Sequence, residues 1–353
     1  GFERQSGREV VIVAQQYADI RRALAAEARA GRGGTIDLAE LDVYSLAASA
    51  QDVRPLDRRA LAPTTESLEP GALRAGRIDG LRFLPHRVSW QALLYNHEIL
   101  GHPPASWEEL LEVARKHPGR IGIKGARYEG LTCDILPFVW AAGGSATSFR
   151  DEGARAAFAL FAELAPFLSR HSATFKEATI AEAMARGEIV LHLNWPFAMS
   201  LYESQDLTPR PLRSAPLPRG PKGRATVLGG GYLAVPKGSP DPDAATLLLE
   251  YLLSRPVQER LSRELGWFSA RRDVPLGEER PGDPLEGFAA MRAEVRPRPE
   301  RRDYPRLSRL WQDAFRAVAF GGAPPERALA EAARQWSACR GGRAPAGLAE
   351  GCG

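Results

Sequence analysis

Six histidines and three cysteines supply the residues best suited to metal binding or nucleophilic chemistry, and their spacing argues against both. No two histidines stand in an HxH or HExxH pattern and there is no CxxC pair, so no zinc-ligand set is grouped and no metal site is expected. Cys133 lies in an apolar stretch and reads as a buried thiol, while Cys339 and Cys352 are spaced to close a small C-terminal loop in an oxidising compartment. The phosphate-cradling patterns GxGxxG and GxxxxGK[ST] and the nucleophile elbow GxSxG do not occur, so cofactor binding of those kinds is not expected. Two carboxylates brought together from distant positions would leave no such trace, which keeps a glycoside-cleaving enzyme open as a second reading.

What the sequence offers instead is aromatic residues beside Gly or Pro at turns and strand ends. Trp90 follows Ser89 ahead of a strand-like run, and Asn194-Trp195-Pro196-Phe197 follows another. Tyr232 comes after Gly229-Gly230-Gly231, and Gly266-Trp267-Phe268 closes a helix-like segment. Open α/β sheets place ligands at strand ends. A sugar ring offers apolar C–H faces that flat aromatics can cover and hydroxyls that Asp, Asn, Ser and Arg can satisfy.

The elements that must position these residues alternate between helix and strand. Val10–Val13, then an apolar-periodic helix over 19–30, then a strand over 35–43 form a βαβ pattern. Leu81–Leu84, Ala92–Tyr95, Ile121–Ile123 and Ile189–Leu193 read as strands. Ser106-Trp107-Glu108-Glu109 has capping-box spacing and opens a helix to about His117, and Asp151–Leu168 carries Phe158, Phe161, Leu164 and Leu168 on one face. After a strand over 226–235 interrupted by its glycines come two helices, a Pro/Arg-rich connector over 271–305 and two closing helices. The 353 residues suffice for two domains, and the longest apolar run, Ile135–Ala142, is too short to cross a bilayer. Net charge is +4 from 47 basic and 43 acidic residues, with arginines scattered among acids, so nucleic acid is not an expected partner.

Five blocks in order resemble the extracellular solute-binding proteins of bacterial carbohydrate ABC importers, in particular the maltose and trehalose branch. They are Leu93-Leu94-Tyr95-Asn96 with Pro103-Pro104-Ala105-Ser106-Trp107-Glu108-Glu109-Leu110; Arg127-Tyr128-Glu129-Gly130-Leu131-Thr132-Cys133 with Gly143-Gly144; Gly187-Glu188 through Asn194-Trp195-Pro196-Phe197-Ala198; Leu228-Gly229-Gly230 to Val235-Pro236-Lys237; and Arg296-Pro297 with Tyr304, Ser308 and Trp311. The resemblance implies an α/β, two-lobed periplasmic-binding-protein type II fold. Each lobe is then a mixed sheet flanked by helices, the lobes are joined by hinge crossovers, and a sugar is held between them. One lobe would comprise residues 1–87 and 230–290, the other 91–226 and 291–340, with 341–353 a flexible tail.

Carried over position by position, the resemblance implies ligand contacts at Asp42, Tyr44, Ser89, Trp90, Glu129, Trp195, Phe197, Gly230, Tyr232, Arg271 and Trp311. Two positions depart from the family: Ser89 stands where an acidic ligand residue is common, and Gly231, followed by Tyr232, where a Trp follows the Leu-Gly-Gly. With Arg271, Arg272, His86 and Arg87 nearby, fewer acids imply a more positive site, open to an anionic or modified sugar. The implied function is reversible capture of a di- or oligosaccharide without catalysis or cofactor, by a monomer that delivers it to ABC permease subunits and their ATPase. A receptor-linked sugar sensor is a further reading. The setting is periplasmic or extracytoplasmic, with a lipid anchor carried by an upstream segment. Phe2–Gly7 and Val10–Val13 look like the end of the family's first helix and its second strand, so the first strand and most of the first helix are expected to be missing.

Overall fold

Nine strands form the sheets of the computed structural model, which describes residues 1–31, 33–59, 61–204, 212–275 and 284–340. They are β1 (Ala39–Asp42), β2 (Leu84–Ser89), β3 (Ala92–Asn96), β4 (Leu191–Asn194), β5 (Leu212–Ala215), β6 (Thr226–Val227), β7 (Gly229–Ala234), β8 (Phe268–Ser269) and β9 (Val295–Arg296). The chain divides into two units. The first is Gly1–Ser89 with Gly229–Leu276 and Glu300–Arg302; the second is Trp90–Leu228 with Gly277–Pro299 and Asp303–Gly353.

In the first unit the strands run in the order β1-β7-β2-β8, each neighbour antiparallel. Gly231 lies in the central strand opposite Asp42 on one side and Arg87 on the other. Leu41, Leu46, Val53, Phe83, Leu84 and Tyr232 fill the core against this sheet. The helix Tyr17–Ala30 lies over β1 and stops at Gly31, whose φ of 77° suits a residue without Cβ. The helix Arg255–Leu265 ends the same way at Gly266, φ 62°, and the turn delivers Trp267 and then β8. Val10–Val13, expected as a strand, forms none, and Val11, Ile12 and Val13 are exposed. A lone run gains no ladder bonds without a partner strand.

In the second unit β3 is flanked by β4 and β5, both antiparallel to it, while Ile121 adds parallel bridges to Leu168 and Leu191. The helices Glu129–Ala141, Glu152–Leu164, Tyr304–Ala319 and Pro325–Arg340 pack around an aromatic cluster. In it Phe161 meets Phe138, Phe158 and Phe315 at 5.3, 5.6 and 5.0 Å between centroids. Ser106 and Asp151 cap their helices as their spacing suggests, accepting from the N–H groups of Glu109 and Ala154. The parallel pair β6·β9 is tied to residue 91 by Thr226 Oγ1, which accepts from the Gln91 N–H and donates to the Gln91 carbonyl.

The short helix Glu286–Met291 belongs to this second unit, whereas the boundary expected at 290 puts it in the first. Its Gly287 lies against the backbone of Ala215, where a Cβ would come within 2.1 Å, and its Phe288 carbonyl accepts from Trp90 Nε1 at 2.7 Å. The 341–353 tail, Cys352 and the side chain of Cys339 lie outside the described residues, and so does their expected pairing.

Candidate functional site

A carboxylate in the middle of β1 organises the polar side chains of the first unit. Glu40 Oε1 accepts from Tyr17 Oη at 2.8 Å and from Arg87 Nη2 at 3.0 Å, and Oε2 lies 3.0 Å from His86 Nδ1. Arg87 Nη2 also donates to Tyr17 Oη at 2.6 Å. Burial alone would raise the Glu40 carboxyl, but the His86 bond and the Arg87 charge outweigh it and hold the group down to about 2. The carboxylate needs the space over Gly231, where a Cβ would come within 2.5 Å of it. Arg87 lies over the Trp267 ring at 4.9 Å, and His86 meets that ring edge-on at 5.8 Å. Tyr17 and Glu40 were not visible as site residues in the sequence. An acid in a short strand and a tyrosine opening a helix carry no motif, and only the fold brings them to His86 and Arg87.

Asp42 ends β1 and accepts from the Tyr44 N–H at 3.2 Å, the usual turn role of such an Asp, and both residues keep partial exposure. Ser89 closes β2 opposite Gly229, also partly exposed. Gly230 is buried in β7 beside β2, and a Cβ there would come within 2.6 Å of the Arg87 carbonyl. Tyr232 is a core residue: its ring has no exposed surface and its hydroxyl donates to the Ala72 carbonyl at 2.9 Å. Arg271 donates twice to Asp273 in its own loop, at 2.8 Å each, and once to the Leu253 carbonyl at the end of the helix Pro242–Leu252, at 2.9 Å. Arg87 and His86 meet Glu40 and Arg271 meets Asp273, so these members of the positive group expected from the sequence lie against acids of the same unit, while Arg272 is exposed.

In the second unit, Trp195 follows β4 and Phe197 opens the next helix, and both rings keep exposed surface. The loop holding them is fixed by Asn194, whose Oδ1 accepts from the Trp195 N–H at 2.9 Å and whose Nδ2 donates to the Glu177 carbonyl at 3.1 Å. Trp90 is buried, with its Nε1–H spent on Phe288. Trp311 is a core ring without exposed surface, 4.3 Å from Phe149 between centroids, donating from Nε1 to the Ala146 carbonyl at 2.8 Å. A helix-face Trp that packs this way offers no ring face to a ligand, which corrects the expectation for Trp311 as burial does for Tyr232.

Glu129 is the first residue of its helix, and both its oxygens accept internal bonds: Oε1 from Arg298 Nη1 at 2.7 Å and from the Tyr304 hydroxyl, Oε2 from Ser308 Oγ at 2.6 Å. Its carboxyl sits above the usual range because burial outweighs these favourable contacts. Deeper in the unit Lys124 and Asp134 form a wholly buried ion pair at 2.5 Å, with Nζ also donating to the Leu193 carbonyl and Asp134 accepting from Gln91. Asp134 and His192 border an otherwise apolar cavity of about 40 Å³ lined by Leu93, Ile123, Phe161 and Phe315 among others. Among the described residues no group of three or more His, Cys, Asp or Glu is placed to hold a metal ion, and no helix is long and apolar enough to cross a membrane.

Comparison with known proteins supplies the context for these surfaces. The chain is 25% identical over 289 residues to a probable ABC transporter-binding protein of Deinococcus radiodurans, covering 73% of this chain and 68% of the relative. Its fold matches maltose-bound MalE3 of T. maritima with a TM-score of 0.83 at 25% identity, over 95% of this chain and 93% of the other. An ABC transporter solute-binding protein from Thermotoga lettingae, bound with α-D-tagatose, also aligns with a TM-score of 0.83, at 24% identity over 95% and 92%. A family model of the bacterial extracellular solute-binding proteins matches residues 1–285. The family is one of binding proteins that work outside the cytoplasm. By the extent of that match, the chain belongs to the bacterial extracellular solute-binding protein family.

Proposed function

We propose that this protein is the sugar receptor of an ABC importer, capturing a neutral di- or oligosaccharide reversibly and passing it to permease subunits driven by an ATPase. The observation that carries the reading is the pairing of partly exposed Trp195, just after a strand end, and Phe197, at the start of the helix that follows, where flat rings are available to the C–H faces of a sugar. The internal neutralisation of Arg87 and Arg271 supports a neutral ligand over an anionic one. The protein acts as a monomer, in the periplasm or tethered by a lipid at the outer membrane face of the cell. A micromolar dissociation constant corresponds to about 8 kcal/mol, within reach of stacked rings and a set of satisfied hydroxyls. Titration of intrinsic fluorescence with neutral, acidic and phosphorylated sugars tests the reading. Saturable change with a neutral sugar recovered intact is expected. Cleavage of the sugar would support an enzyme, and preference for an acidic sugar would remove the neutral-ligand assignment.

A further inference from the structure

Glu177 opens the helix Glu177–Ala185 in the second unit and is partly exposed. Among the described residues its carboxylate accepts no hydrogen bond and meets no cation within ion-pair distance, and neither oxygen is among the buried, unpartnered atoms. Both oxygens therefore reach solvent unspent. Glu129 and Asp134, acids of the same unit, use both of theirs on internal donors. Glu177 is not needed to start its helix either, because Thr179 Oγ1 accepts from the Lys176 N–H at 2.9 Å.

The position of this acid is fixed from two directions. Its main-chain carbonyl accepts from Asn194 Nδ2 at 3.1 Å, and Asn194 Oδ1 accepts from the Trp195 N–H, so the acid and the partly exposed ring stand on adjoining segments. On another side, a Cβ at Gly130 would come within 2.6 Å of Glu177 Oε1 and 2.2 Å of Tyr128 Oη. The absent side chain leaves room for the carboxylate, and the phenol forms no hydrogen bond with it. Lys176 lies over the Tyr128 ring at 5.6 Å instead of pairing with its neighbour.

An open carboxylate beside a tryptophan suits a polyol. The ring covers a C–H face while the two oxygens accept from adjacent hydroxyls, in charge-assisted bonds about twice as strong as neutral ones. An acidic group on the ligand would instead meet like charge. We infer that Glu177 holds a pair of neighbouring hydroxyls on the sugar unit that stacks on Trp195, and so sets the preference of this site for a neutral sugar. The inference deepens the sugar-binding reading and rests on it.

The test is calorimetric titration of maltose, maltotriose and tagatose, and of the monodeoxy derivatives of whichever binds most tightly, into the wild type, Glu177→Ala and Glu177→Gln. Glu177→Ala is expected to weaken the parent sugar about 10-fold or more, and Glu177→Gln, which keeps one acceptor and loses the charge, by less. Two derivatives lacking adjacent hydroxyls should lose most of that penalty, and the others should keep it in full. Thermal melts establish that the variants are folded, and one folded variant is enough to read the pattern. Equal loss for every derivative would make Glu177 structural and overturn the inference. So would unchanged affinity for the parent sugar, or an acidic sugar held more tightly by the wild type than by Glu177→Gln; both leave sugar binding itself standing wherever the wild type binds a neutral sugar. If the wild type binds no neutral sugar of the panel, the sugar-binding reading falls and takes this one with it.

Discussion

Arg298 donates through Nη1 to Glu129 Oε1 at 2.7 Å, so a buried guanidinium ahead of the 304–319 helix holds the first residue of the 129–141 helix. The same guanidinium reaches the Leu228 carbonyl at 3.3 Å. Arg298 therefore ties together three stretches of the second unit that are far apart in sequence. Its removal leaves a largely buried carboxylate with only two hydroxyl donors.

Arg298→Met is accordingly expected to destabilise the protein by about 2–4 kcal/mol, and Glu129→Gln by less, since an amide can still meet the hydroxyls. Urea unfolding measures both. A Glu129→Gln variant with unchanged stability but abolished sugar affinity would return Glu129 to the ligand contacts that its sequence position implies.

Lys124 and Asp134 have almost no solvent to fall back on. Lys124→Met should cost about 3–5 kcal/mol by leaving Asp134 buried and unpaired, and combining it with Asp134→Leu should recover part of that loss. Chemical denaturation midpoints of the single and double variants decide the matter; a single variant within about 1 kcal/mol of wild type would show that water reaches the pair.

His192 is buried, with Nδ1 toward the Leu193 carbonyl and Nε2 toward the Tyr202 hydroxyl. Burial, reinforced by the Lys124 charge, holds its imidazole down to about 3. An unfolded histidine titrates near 6.5. From about pH 6.5 down to 3 the unfolded chain therefore takes up a proton that the folded chain refuses. This contribution to stability is complete above about 6.5 and falls as pH drops, by up to about 1.4 kcal/mol per unit. The stability difference between wild type and His192→Asn should change with that slope across the window, and a constant difference would place the histidine's titration in the folded state at its ordinary value.

Trp195 and Trp311 should part company. Trp195→Ala should weaken sugar binding by more than about 1 kcal/mol and leave the fold intact, because its ring keeps solvent exposure. Trp311→Ala should instead cost about 3–5 kcal/mol of stability, from a cavity beside Phe149 and Phe158. Paired melting curves and titrations separate the two; unchanged affinity in folded Trp195→Ala would take that ring out of the site.

The parts of the fold with strong local chemistry were legible in the sequence. Ser106 and Asp151 announce their helices by side-chain caps that act on the backbone a few residues away. The 129–141 helix announced nothing: nearly all its residues are buried, so no polar face imposes a period of 3.6. The glycines 229–231 read as an interruption because they lack β propensity, yet they form the start of the central strand, where close neighbours rather than propensity decide. Trp195 and Phe197 stood out by their Pro neighbour. The Glu40 cluster did not, because a bulge in β2 between Pro85 and Arg87 and three separate segments assemble it.

Gly231 has a meaning beyond its own conformation. The Glu40 carboxylate, pinned by Tyr17, His86 and Arg87, fills the volume that a side chain at 231 would take. A side chain at 231 would therefore require the Glu40 carboxylate to swing away and give up its bonds to Tyr17, His86 and Arg87. The two positions should therefore vary together among relatives, the acid at 40 keeping company with a residue at 231 that has no side chain to displace it.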